Sequence, residues 1–129
     1  MGAEVDVTAW DEDALAETLR AKAPDVVFAL LGTTKRRARR ADDPSAETYE
    51  AVDYGLTAML RRAAERSGHR PRFVYLSSMG VKPGTSNAYL AARARIEAEL
   101  REGALPWVSA RPSFIVGDRD ETRPGEAIG

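Results

Sequence analysis

The chain has 129 residues, no cysteine, and 19 Lys and Arg that nearly cancel 20 Asp and Glu. That length suits one domain with its own apolar core, and the missing thiols exclude disulfides, cysteine nucleophiles and cysteine-ligated metal, while the charge balance leaves no global field for nucleic acid or an anionic membrane. No apolar run is long enough to span a bilayer, and the opening Met1, Gly2, Ala3, Glu4 lacks the basic and apolar parts of a signal peptide, so the cytoplasm is the expected location.

Val5 and Val7 begin the chain's apolar pattern as a short strand. Asp11, Glu12 and Asp13 then crowd the first turn of a helix reaching about Lys22, where carboxylates favour the positive end of the dipole, and Pro24 closes it. Residues 25–31 are short, apolar and β-branched, which predicts a buried strand ending at Gly32, Thr33 and Thr34, with a loop beyond. Residues 45–67 keep a helical period through Tyr49, Val52, Leu56, Met59, Leu60 and Ala63, and Gly68 ends them. Residues 73–76 form the next strand, with Ser77 and Ser78 at its carboxyl end and a loop marked by Gly80, Pro83 and Gly84. Ser86 or Asn87 caps a helix to about Glu102, whose Arg93/Glu97 and Glu97/Arg101 spacings suggest a solvated face. From Trp107 to Val116 the chain is again extended and apolar, broken by Pro112. Strands alternating with helices in this way predict an α/β domain with a parallel sheet.

Chemistry concentrates at one place in that pattern. Tyr89 and Arg93 stand one helical turn apart on one face, eleven residues after Ser78, so a cation can lie beside a phenol and reach a cofactor ribose. His69 sits in a polar turn without partner ligands, and no metal site is expected. The run Lys35, Arg36, Arg37, Ala38, Arg39, Arg40 is the one local basic patch. It suggests attraction for phosphate or nucleic acid, but Asp42 and Asp43 follow and no aromatic is interleaved, which points to a solvated loop.

Val74-Tyr75-Leu76-Ser77-Ser78, Tyr89-x-x-x-Arg93 and Arg111-Pro112-Ser113-Phe114-Ile115-Val116-Gly117 occur in the order used by extended and atypical short-chain dehydrogenases, which this chain resembles. Tyr49-Glu50-Ala51-Val52-Asp53 is similar to a helix segment that in that superfamily usually reads Tyr-x-x-Val-Asn. Leu31-Gly32-Thr33-Thr34-Lys35, with the stretch from Asp118 through Arg123, Pro124, Gly125 and Glu126, resembles the Tat-interacting-protein branch of NADP-dependent oxidoreductases.

The resemblance implies a partial Rossmann-like fold, a doubly wound parallel sheet in three α/β/α layers, over residues 1–129. It enters the family at the third strand. The Gly-x-x-Gly-x-x-Gly turn that would bind a pyrophosphate at a helix amino end is not in this sequence, nor is the carboxyl-terminal substrate region, so a fragment or truncated gene product is expected and the Val5/Val7 strand would lack neighbours. The implied cofactor is NADP or NAD. Tyr89 would be the general acid/base, Ser78 would bond the substrate oxygen, and Arg93 would stand in for the family's lysine as catalytic and ribose-binding cation. Leu31, Gly32, Thr33, Ser77, Pro112, Ile115 and Arg123 would contact the cofactor, Gly32 because its backbone must come close. Two other functions stay open at this point: a non-catalytic NADP-binding regulatory or interaction module, favoured by the lysine replacement, and a basic-loop nucleic-acid binder.

Overall fold

Three short strands carry the architecture: β1 (Val26–Ala29), β2 (Arg72–Leu76) and β3 (Trp107–Ala110), parallel and in the order β1-β2-β3. The computed structural model describes residues 2–7, 9–113 and 116. The register pairs Val27 with Phe73 and Phe73 with Trp107, so one face of the sheet carries Val27, Ala29, Phe73 and Tyr75 into the core. Successive side chains of a strand alternate between faces.

Before the sheet, α1 (Glu12–Lys22) begins as its sequence dictates. The Asp11 carboxylate accepts from the Ala14 N–H at 3.1 Å, Glu12 and Asp13 fill the first turn, and Ala23 ends the helix in the left-handed region. After β1, residues expected as a loop instead form a short helix, α2 (Lys35–Arg40), because the Thr34 hydroxyl accepts from the Arg37 N–H and nucleates a turn. The long helix expected over residues 45–67 is three pieces. A 3₁₀ turn (Pro44–Glu47) ends where Thr48 turns extended, and the Thr48 hydroxyl caps a π-helical stretch (Tyr49–Leu56) that leads into α3 (Thr57–Arg66). Asn87 caps α4 (Ala88–Glu102) through its side-chain oxygen and the Leu90 N–H at 3.0 Å.

The core is closed by Ala58 and Ala64 from α3, Ile96 and Leu100 from α4, and Leu105; α1 packs on α3 and sets Leu19 against the same cluster. Among the described residues the helices therefore form one layer on one face of the sheet. The strand order advances in a single direction, and right-handed crossovers then place every connecting helix on the same side. The opposite face exposes Val26 and Val108 and leaves Phe28 64% exposed. The second helical layer of a complete doubly wound domain is not among the described residues. The strand expected at Val5 and Val7 does not form: with no ladder partner, both side chains stand in solvent. No helix among the described residues is long and apolar enough to cross a membrane.

Candidate functional site at the carboxyl edge of the sheet

Three segments meet where the strands end. Beyond β1, Gly32 and Thr33 are held by the π-helical stretch: the Thr33 N–H donates to Asp53 Oδ1 at 2.9 Å and its hydroxyl to Glu47 Oε2 at 2.7 Å. Asp53 in turn accepts from Arg93 Nη1 at 2.6 Å through its other oxygen. Both partners are buried, 1% and 5% exposed, so the carboxylate has left water only because a guanidinium and a backbone amide replace its hydration. The Arg93 guanidinium carbon stacks 3.8 Å from the centroid of the Tyr89 ring, and Tyr49 meets that ring edge-on at 5.6 Å. A Cβ at Gly32 would come 3.4 Å from Asp53 Oδ2 and 3.5 Å from Arg93 Nη2, which places the exposed Gly32 backbone directly over the ion pair.

The π-helical stretch matters to this arrangement. Such segments insert an extra residue per turn and shift the angular position of the residues after it. Here the stretch carries Asp53 inward beside Val52, both buried, and Gly55 fits within it where a Cβ would lie 3.1 Å from the Glu50 carbonyl.

A second buried cluster lies on α4 one turn further on. Glu97 accepts from the Ser77 hydroxyl at 2.6 Å and from Arg111 Nη2 at 2.5 Å and Nε at 3.2 Å. Burial works to raise the Glu97 carboxyl, but the Arg111 and Ser77 hydrogen bonds and the Arg111 charge outweigh it and hold the group below the ordinary glutamate value. Arg93 and Glu97 are thus not the solvated i,i+4 pair that their spacing suggests. Each turns inward to a partner on another segment, because a buried carboxylate and guanidinium gain more from fixed opposite charges than from a wet surface contact.

Ser77 is 3% exposed with its hydroxyl committed to Glu97, whereas Ser78 is half-buried and its hydroxyl reaches only the Met79 carbonyl at 3.3 Å. Pro112 is drawn to the same place, since its carbonyl accepts from the Met79 N–H at 3.1 Å. Leu31 is half-buried two residues beyond β1. Ile115 and Arg123 lie outside the described residues. Gly32, Thr33, Tyr89 and Arg93 therefore form one group, and Ser77, Ser78 and Pro112 a second along the same edge. Between them, Tyr75 and Arg93 each leave a buried polar atom, Oη and Nε, without a partner. Burial, more than any neighbouring charge, pushes the Tyr75 phenol above its ordinary value.

Sequence reading passed over Asp53, Glu47 and Glu97 as site residues. Asp53 had a usable signal, an acid next to Val52 on the apolar stripe of a helix.

Residues 3–127, nearly the whole chain, match the profile of the NAD(P)H-binding family. The chain belongs to that family. Its ligand class is therefore a nicotinamide dinucleotide, NADP or NAD, and its sheet is a partial Rossmann-like α/β arrangement. Among curated relatives, the protein HTATIP2 of Rattus norvegicus is 34% identical over 103 residues, covering 79% of this chain and 40% of its own length. The mitochondrial protein fmp52 of Aspergillus niger is 31% identical over 106 residues, 81% of this chain and 43% of that protein. The mitochondrial FMP52 of Candida albicans is 28% identical over 120 residues, 92% of this chain and 48% of its own. The chain thus spans less than half the length of the relatives it matches.

Proposed function

We infer that this chain is the nicotinamide-side part of an oxidoreductase of the short-chain dehydrogenase type. The observation that carries the reading is the continuous linkage from Thr33 through Asp53 to Arg93, with Tyr89 stacked beneath, at the edge of a parallel sheet where such folds bind ligands. The residues present fit the nicotinamide half of a dinucleotide. Gly32 offers backbone unobstructed by a side chain, and the ring of Tyr89 is held by Arg93 on its face and Tyr49 at its edge.

In this reading Tyr89 passes its hydroxyl proton to a substrate carbonyl oxygen, or takes it back from the alcohol, while Ser78 donates a hydrogen bond to the same oxygen. The bound nicotinamide supplies or accepts the hydride at the adjacent carbon. Arg93 positions Tyr89 and balances Asp53. Ser77 fixes the strand end through Glu97, which leaves Ser78 as the serine with a hydroxyl to offer. Leu31, Pro112, Ile115 and Arg123 complete the proposed cofactor contacts, in a domain spanning residues 1–129 and located in the cytoplasm.

Titration calorimetry tests the binding half of this reading. Dinucleotide affinity weaker than micromolar is expected, because no segment of this sequence supplies the amide donors of a glycine-rich pyrophosphate turn, and Arg93→Ala should weaken it further while Tyr89→Phe leaves it nearly unchanged. Turnover tests the rest. With a carbonyl substrate found by screening and a domain completed by a glycine-rich amino-terminal unit, Tyr89→Phe should abolish reduction. Unchanged turnover in that variant would favour a second reading, a dinucleotide-binding module without catalysis, to which the inward commitment of Arg93 already lends weight.

A further inference from the structure

Five of the six residues of α2 are cationic, and the structure gives only Arg37 an acidic partner, Glu47 at 3.4 Å. Lys35, Arg36, Arg39 and Arg40 are exposed and without an ion pair among the described residues. At about 100° per residue, these four side chains fill a continuous arc of roughly 140°, while Arg37 turns toward Glu47 and Ala38, half-buried, toward the protein. Two acids stand at one end of the arc, where Asp42 and Glu47 border a depression with Arg37, Arg40 and Ala41, but the ion pair there goes to Arg37 and leaves Arg40 without one among the described residues.

Left to itself, this is a poor helix. Its first turn holds no acid and carries three cations on the positive end of the dipole. The i,i+4 neighbours Lys35/Arg39 and Arg36/Arg40 repel one another, and so do the i,i+3 neighbours Arg36/Arg39 and Arg37/Arg40. An anion at the arc would offset the repulsion among Lys35, Arg36, Arg39 and Arg40. Position adds to the argument, because α2 follows Thr34 directly, and Thr33 is tied to both Asp53 and Glu47 at the proposed cofactor edge.

We propose that the Lys35, Arg36, Arg39 and Arg40 face of α2 is a phosphate-binding site that draws the phosphates of the bound dinucleotide onto the lip of the carboxyl edge. This rests on the dinucleotide reading for its source of phosphate and on the α2 geometry alone for its chemistry. Guanidinium groups suit phosphate oxygens through paired N–H donors, and the local positive field stands out against a chain whose remaining charge is acidic in excess. The pyrophosphate is common to NAD and NADP, and the extra phosphate monoester belongs to NADP alone, so the two sources separate by titration.

The test uses inorganic pyrophosphate, NAD and NADP on the full chain and on a variant with Lys35→Gln, Arg36→Gln, Arg39→Gln and Arg40→Gln, read by calorimetry and by amide hydrogen exchange over residues 35–40. Pyrophosphate should slow exchange in that segment of the parent, and the variant should lose at least about tenfold in affinity together with most of the salt dependence. A loss confined to NADP assigns the site to the monoester, and an equal loss for NAD and NADP assigns it to the pyrophosphate. Absence of pyrophosphate-induced protection, or equal affinities in parent and variant, overturns the proposal. Pyrophosphate protection without dinucleotide binding would keep the phosphate site and sink the dinucleotide reading, whereas dinucleotide binding undiminished in the variant would do the reverse. The substitutions lie on an exposed face and relieve repulsion, so the variant's melting temperature should equal or exceed the parent's.

Discussion

Asp53 and Arg93, forty residues apart in the chain, meet at 2.6 Å with side chains 0% and 7% exposed, and among the described residues each is the other's only buried counter-charge. The pair locks the π-helical stretch to α4 and, through the Thr33 amide, to the loop beyond β1.

Removing one member alone should therefore be costly. Arg93→Met or Asp53→Leu leaves a buried uncompensated charge, and each is expected to lower unfolding stability by about 3–5 kcal/mol, measured by urea denaturation. The double variant should recover most of that loss. A double variant as unstable as the sum of its parts would mean that the two residues act independently.

Acid sensitivity should map to Glu97. Its carboxyl is held below the ordinary value in the folded state, so its contribution is present above the unfolded value of about 4.3 and is lost as pH falls through the depressed folded value. Glu97→Gln should be less stable than the parent at neutral pH and should lose less on acidification below about pH 4. Parallel stability curves for the two proteins across that window would remove Glu97 from the explanation.

The two adjacent serines should separate by assay. Ser77→Ala strips a buried hydrogen bond from Glu97 and should cost about 1–3 kcal/mol of stability, since a charged acceptor is left under-satisfied. Ser78→Ala removes only a weak local contact, should unfold like the parent, and should impair turnover in a completed domain. The opposite pattern would exchange their roles.

Tyr75 carries a buried hydroxyl without a partner, an arrangement that penalises the folded state. Tyr75→Phe keeps the ring's packing and should match or exceed the parent's melting temperature, by calorimetry. A clear loss would show that the hydroxyl is bonded in solution.

The sequence made the strands and one cap legible because those depend on neighbours: short apolar runs for β1 and β2, and Asn87 before α4, whereas Asp11, expected within the first turn of α1, is its cap. Alternation of strands and helices together with right-handed crossovers is enough to expect Ser78, Gly32 and Tyr89 at one edge. The choice of partner could not be read locally. Arg93 and Glu97 look like surface charges at i,i+4 spacing, and only tertiary packing, with Asp53 arriving from forty residues away and Arg111 from β3's end, turns them inward. The break at Thr48 was hidden for a similar reason: the apolar period runs on through it while a hydroxyl cap resets the helix. Val5 and Val7 show the converse, a strand-like pattern with nothing beside it to complete a ladder.

The uncovered side of the sheet has a consequence for handling the molecule. Phe28 and Leu30 each leave 64% of their surface in water, next to Val26 and to Val108 two strands away. Contact between such surfaces in concentrated solution would favour the folded chain by mass action, so its melting point should climb with protein concentration and fall in mild detergent. A dye that fluoresces in apolar surroundings should brighten on the native protein rather than only on its unfolding intermediates, and a stability measured at a single dilution would understate what the same residues contribute once that surface is dry.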